Sequence, residues 1–161
     1  MKEVEVTDLA LPGSKLVRYG RFTDDRGYFT ETFRKSDLMS PSSGFPRWEV
    51  VQANESYSKR GTVRGLHFQW NPFMGKLVRT VQGEMIDLRV DIRKDSPTYG
   101  CGLAVEMPAS LESATAQWIW VPAGFAHGNA FFQDTVIEYI CSGEYSGGNE
   151  AGISPLSTDI D

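Results

Sequence analysis

Histidine, cysteine and long apolar runs are all scarce in this sequence, and each scarcity excludes something. Only His67 and His127 are present among 161 residues, too few to build a histidine-rich metal centre. Cys101 and Cys141 stand far apart without CxxC spacing, which argues against a disulfide framework and against a zinc site. There is no stripe of Lys and Arg, and the net charge of −5 weighs against nucleic acid as a partner. A small phosphorylated ligand, which needs only a local cationic pocket, stays open. No apolar run approaches transmembrane length, and the N-terminus lacks the cationic and apolar blocks of a secretory leader. The expectation is a cytoplasmic protein with no membrane partner.

What is present is a succession of short strand patterns. Hydrophobic content of 40% and charged content of 23% suit one globular domain with a real core. Strand-like alternation or β-former content runs over Lys2–Thr7, Leu16–Phe22, Tyr28–Arg34 and Trp48–Ser56, then over Gly61–Gln69 and Lys76–Gln82. Met85–Arg93 is the cleanest case, with Ile86, Leu88, Val90 and Ile92 on one face and Asp87, Arg89, Asp91 and Arg93 on the other. Gly102–Met107, Gln117–Val121, Ala126–Phe132 and Thr135–Ser142 complete the series, and the tail from Gly143 has no strong pattern. Lys35–Met39 is the one plausible helical turn in the first half, and Gly, Pro and Asp corners separate the strands. The pattern predicts an all-β, antiparallel jelly-roll sandwich or barrel, cupin-like and with very little helix, as one domain over 1–161.

The stretch Gly61-Thr-Val-Arg-Gly-Leu-His-Phe-Gln69 concentrates the chemistry. Arg64 and His67 lie three apart, so a regular strand sends them to opposite faces. For both to line one pocket, a bulge near Gly65 must re-aim one of them; the plainer alternative is an exposed edge strand. Gln52, Asn54 and Ser56 put three polar side chains on one strand face, and Glu31 sits among phenylalanines. The corner Pro122-Ala-Gly-Phe-Ala-His127 resembles the second cupin motif, but His67 lacks the second histidine a cupin metal site would place beside it. Without a metal, His67 suits proton transfer near neutral pH, with Lys76 or Arg64 to face a developing anion. Tyr139 reads either as a core tyrosine or as an acid facing the base.

A set of motifs in order carries a resemblance. It comprises Arg26-Gly-Tyr-Phe-Thr-Glu31, Gln52-Ala-Asn54, Arg64 to Gln69, Lys76-Leu-Val-Arg79 and Gly83-Glu-Met-Ile-Asp87. Asp91-Ile-Arg93, Ser96-Pro-Thr-Tyr-Gly100 and Pro122 to Gly128 follow. Together, over about residues 16–155, they resemble the dTDP-4-dehydrorhamnose 3,5-epimerase family of nucleotide-sugar isomerases. The resemblance implies a jelly roll without metal or cofactor that epimerises the carbons flanking the C4 ketone of a nucleoside-diphosphate 4-keto-6-deoxyhexose. His67 then matches the general base, Tyr139 the general acid and Lys76 the residue at the C4 oxygen. Arg26, Glu31, Gln52, Asn54, Arg64, His127, Tyr145 and Glu150 match substrate-binding positions, with Tyr145 stacking on the nucleobase. A homodimer is implied, with Arg26 and Glu31 able to serve the partner's site. The expected domain lacks the family's usual C-terminal extension, where an aspartate orients the base histidine, so that carboxylate is expected to be absent or replaced. Two departures touch the site: Asn129 stands where the family more often has Phe, and the His127–Tyr139 spacing is about one residue short. Epimerisation at C3, C5 or both is therefore open, and the rival readings are a 3,4-ketoisomerase and a non-catalytic sugar-nucleotide binder.

Overall fold

The computed structural model describes residues 1–160; Asp161, the last position of the expected domain, lies outside them. The strands are β1 (Lys2–Asp8), β2 (Lys15–Gly20), β3 (Phe22–Asp24), β4 (Gly27–Phe29), β5 (Gln52–Ser58), β6 (Val63–Gln69) and β7 (Lys76–Gln82). They continue as β8 (Glu84–Asp91), β9 (Gly102–Pro108), β10 (Thr115–Val121), β11 (Phe125–Phe131), β12 (Thr135–Cys141) and β13 (Glu150–Gly152), with one short helix, α1 (Lys35–Leu38). A six-stranded sheet in the order β1-β2-β10-β7-β12-β5 faces a five-stranded sheet in the order β13-β6-β11-β8-β9. The strand pairings are antiparallel, and β10 and β12 are inserted between sequence-distant neighbours, as in a jelly roll.

The central strands of each sheet are covered on both faces, so alternate residues of one strand enter different apolar clusters. On β7, Val78 joins Met85, Met107, Ile119, Phe131 and Ile137 between the sheets. Its neighbour Leu77 joins Tyr19, Leu38, Trp118 and Trp120 on the outer face, beneath α1 and the loop after it. Full burial of such a side chain stabilises the fold by roughly 1.5–3 kcal/mol. The alternation on β8 leaves open which face turns inward. The structure turns the charged one inward: Asp87, Arg89 and Asp91 are fully buried, while Val90 and Leu88 pack outward with Leu66, Ala126 and Ile153.

Three expectations are corrected. The strand expected over Tyr28–Arg34 ends at Phe29, because side chains take the backbone groups beyond it. Thr30 Oγ1 donates to the Gly20 carbonyl at 2.9 Å, and the Trp118 indole N–H donates to the Thr32 carbonyl. The strand expected from Trp48 starts at Gln52, since Trp48 turns away to pack on Trp120, ring centroids 4.9 Å apart. The patternless tail holds a 3-10 turn at Gly147–Asn149 and strand β13, which pairs Glu150 with Gln69 and Gly152 with His67.

Candidate active site

The site begins with a bulge on β6. Its pairing with β11 matches His127 to His67 and Asn129 to Arg64, so three steps on β6 span two on β11. The extra residue falls at Gly65, whose φ of +108° belongs to glycine. A Cβ there would stand 2.6 Å from the Cα of Gly128, and a Cβ on Gly128 would stand 2.3 Å from the Arg64 carbonyl oxygen. Only two glycines let the strands approach so closely. The bulge re-aims the strand, and Arg64 and His67 both line one cavity.

That cavity, about 290 Å³, lies between the sheets. The five-stranded sheet contributes Arg64, His67, His127, Asn129 and Glu150, and the six-stranded sheet contributes Ser56, Lys76, Val78, Ile137 and Tyr139. A second lobe of about 320 Å³ shares Lys76, Tyr139 and Glu150 and adds Gln52, Asn54, Cys141 and Tyr145. Nine of the eleven candidate residues therefore come together. Arg26 and Glu31 do not line this cleft: Arg26 lies on the exposed β3–β4 hairpin in contact with Asp24 at 2.6 Å, and Glu31 pairs with the N-terminal amine at 3.0 Å and with Arg34.

The two histidines meet different carboxylates. His67 is half exposed, with Nδ1 3.2 Å from Glu150 Oε1. His127 is buried, with Nε2 2.7 Å from Asp87 Oδ2, while Arg89 pairs with the other carboxylate oxygen and donates to the Trp120 carbonyl at 3.0 Å. Burial raises the Asp87 carboxyl, but the Arg89 guanidinium and His127 outweigh it and hold it below the usual carboxylate range. Burial also holds His127 below an ordinary imidazole, against the pull of Asp87. The combination is an ionised aspartate, a cationic arginine and a neutral imidazole.

Across the cleft, burial pushes the Tyr139 hydroxyl up, as does nearby Cys141, so at neutral pH it holds its proton. The Cys141 thiol is pushed up by burial too, although Lys76 opposes this. Lys76 has no ion-pair partner among the described residues and presents its charge to both lobes. Gln52 donates to Asn54 Oδ1 at 2.7 Å and accepts the Tyr145 N–H at 3.0 Å, so the amides of β5 hold the aromatic in place. Among the described residues no group of three His, Cys, Asp or Glu side chains is placed to hold a metal ion.

Sequence reasoning missed Asp87 and Arg89 as site residues, because their alternation with Ile86 and Leu88 separates two faces without showing which one turns inward. The available signal was their opposite sign on one face, which lets them neutralise each other when buried. Asn129 was noted only as a departure. It is buried, lines the cavity and donates to Met85 Sδ at 3.3 Å. Glu150, matched in the sequence only to a substrate-binding position, places a carboxylate beside the candidate base.

Comparisons with known proteins point to one family. The family model described as dTDP-4-dehydrorhamnose 3,5-epimerase matches residues 8–161. A dTDP-4-dehydrorhamnose 3,5-epimerase of Sinorhizobium fredii is 42% identical over 156 residues, spanning 95% of this chain and 76% of that protein. The crystal structure of the Bacillus anthracis dTDP-4-dehydrorhamnose 3,5-epimerase with TDP and PPi bound superposes with a TM-score of 0.86 at 34% identity, covering 98% of this chain and 87% of that one. A 3,5-epimerase from Legionella pneumophila in complex with dTDP-4-keto-L-rhamnose gives 0.85 at 31% identity, covering 98% and 81%.

Proposed function

From the premise that this chain belongs to the dTDP-4-dehydrorhamnose 3,5-epimerase family, we propose that its cleft epimerises a dTDP-4-keto-6-deoxyhexose by proton transfer next to the ketone. The observation that carries this reading is a half-exposed imidazole and a protonated phenol brought to one cavity by opposite sheets, with the Lys76 ammonium group in the same lining.

The C4 ketone acidifies the C–H bonds at C3 and C5. His67 takes a proton from one of these carbons through Nε2, and the electron pair left behind moves into an enolate. Negative charge collects on the C4 oxygen, where Lys76 faces it; a preorganised donor of this kind supplies about 2.7–4 kcal/mol of transition-state stabilisation. Tyr139 then returns a proton from the opposite wall, inverting the carbon, and its raised pKa keeps it an acid at neutral pH. The Arg64 guanidinium and the lobe of Gln52, Asn54 and Tyr145 hold the diphosphate and nucleobase, and His127 holds the sugar. A homodimer, in which Arg26 and Glu31 complete the partner's cleft, and a cytoplasmic location belong to the same reading and rest on the family resemblance. Among the described residues no helix is long and apolar enough to cross a membrane.

The test is proton exchange. The protein is incubated with dTDP-4-keto-6-deoxyglucose in deuterium oxide, and the C3 and C5 signals are followed by NMR. Deuterium at both carbons is the result expected of a 3,5-epimerase, and entry at one carbon alone identifies a single-site enzyme. Binding without exchange at either carbon overturns the catalytic reading in favour of a sugar-nucleotide binder.

A further inference from the structure

We propose that Glu150 is a positioning residue for His67, holding the imidazole with its proton on Nδ1 so that Nε2 presents a lone pair to the cavity. The proposal rests on the epimerase reading for what His67 does, though not for how His67 is held. Glu150 Oε1 lies 3.2 Å from His67 Nδ1. The contact is an ion-pair distance rather than an aligned hydrogen bond, so the carboxylate acts on the ring through its charge, which favours the proton of a neutral ring on the near nitrogen. The carboxylate is itself fixed, because its other oxygen accepts the Tyr145 hydroxyl proton at 3.0 Å.

The backbone holds the pair together as well. Strand β13 runs antiparallel to β6, with Glu150 opposite Gln69 and Gly152 opposite His67. Gln69 ties down the approach to β13: its Oε1 accepts the Ser146 N–H at 2.9 Å, and its Nε2 donates to the Glu144 carbonyl at 3.0 Å. At Gly152 the strand runs beside the ring, where an added Cβ would make an ordinary van der Waals contact with Nδ1 at 3.9 Å.

The chain has just two imidazoles, which makes the tautomer readable. In two-bond 15N–1H spectra of the unliganded wild-type protein, assigned with a His67→Gln variant, neutral His67 is expected as the Nδ1–H form. In Glu150→Leu that preference is lost and kcat for C–H exchange falls about 10–100-fold, as when the outer partner of a metal-bound histidine is removed. KM rises by a smaller factor than kcat falls, the rise reflecting the Tyr145 hydroxyl that loses its acceptor. Glu150→Gln, which keeps an accepting oxygen without the charge, falls between the two. A wild-type His67 in the Nε2–H form overturns the proposal even if neither Glu150 variant folds. So does a Glu150→Leu protein with raised KM and unchanged kcat, which makes Glu150 a binding residue alone. Absence of exchange in the wild-type protein defeats the epimerase reading instead, and the tautomer still decides the positioning.

Discussion

His67 and His127 are direct register partners on neighbouring strands, each with a carboxylate at contact distance, yet they occupy opposite regimes. His67 stands half in solvent against the partly exposed Glu150. His127 is 7% exposed, and its carboxylate is fully buried and already paired with Arg89. Burial therefore keeps His127 neutral despite the adjacent anion. The comparison teaches that an imidazole–carboxylate pair does not define a proton-transfer site. Desolvation and the partner's other bonds decide whether the ring exchanges a proton with a ligand or stays locked as a fixed dipole.

The two halves of this contrast should break in opposite ways. Replacing the open histidine, His67→Gln, should lower the rate of C–H exchange by about 10²–10⁴-fold, the usual worth of a general base. Because the side chain is half exposed, the urea midpoint should shift by no more than ~0.5 kcal/mol equivalent. A variant that retains most of the exchange rate would remove His67 from the mechanism. On the closed side, Asp87→Ala strands the Arg89 guanidinium in the interior without its anion. That loss should cost about 3–5 kcal/mol of stability, the range for breaking a buried ion pair. It is read as a fall in urea midpoint at constant m. A cost below ~1 kcal/mol would mean that water reaches Arg89 and that the network is not closed.

How much of this was legible depended on whether a signal is local. Strand β7 reads directly from the sequence as Lys76–Gln82, because its ends coincide with glycine corners at Gly75 and Gly83. The β6 bulge was legible as a requirement, since Arg64 and His67 cannot share a pocket without one. The inward face of β8 was not legible. Alternation shows that two faces differ, and only the pairing of β8 between β11 and β9 shows that the charged one meets His127. Strand β13 was invisible for another reason: three residues, Glu150-Ala-Gly, carry no periodicity and become a strand only when β6 offers them an edge. The residue types suggested proton transfer, whereas the substrate came from the resemblance alone. Nothing in the strand pattern specifies a nucleotide sugar.

The finest test of the contrast is the pH dependence of stability, where the smallest effect is expected. Burial depresses the folded pKa of His127, while the unfolded imidazole titrates near ~6.5. Between the two values the unfolded chain binds more protons than the folded one, so unfolding free energy falls as pH falls. The stability of the neutral ring is fully present above about pH 6.5 and is lost progressively as pH drops through the folded value. Asp87 is depressed as well, but its loss sets in only below the unfolded carboxylate range near ~3.9, outside this window. His127→Gln keeps an N–H donor for Asp87 and removes the titration, and His67, present in both proteins, cancels in the difference. Urea midpoints measured from pH 8 to pH 5 should converge, wild type losing more stability than the variant as the pH falls. Parallel curves would mean that His127 takes up its proton inside the folded barrel as readily as outside it. The closed histidine would then be as free to exchange as the open one, and a second candidate base would have to be weighed in the same cleft.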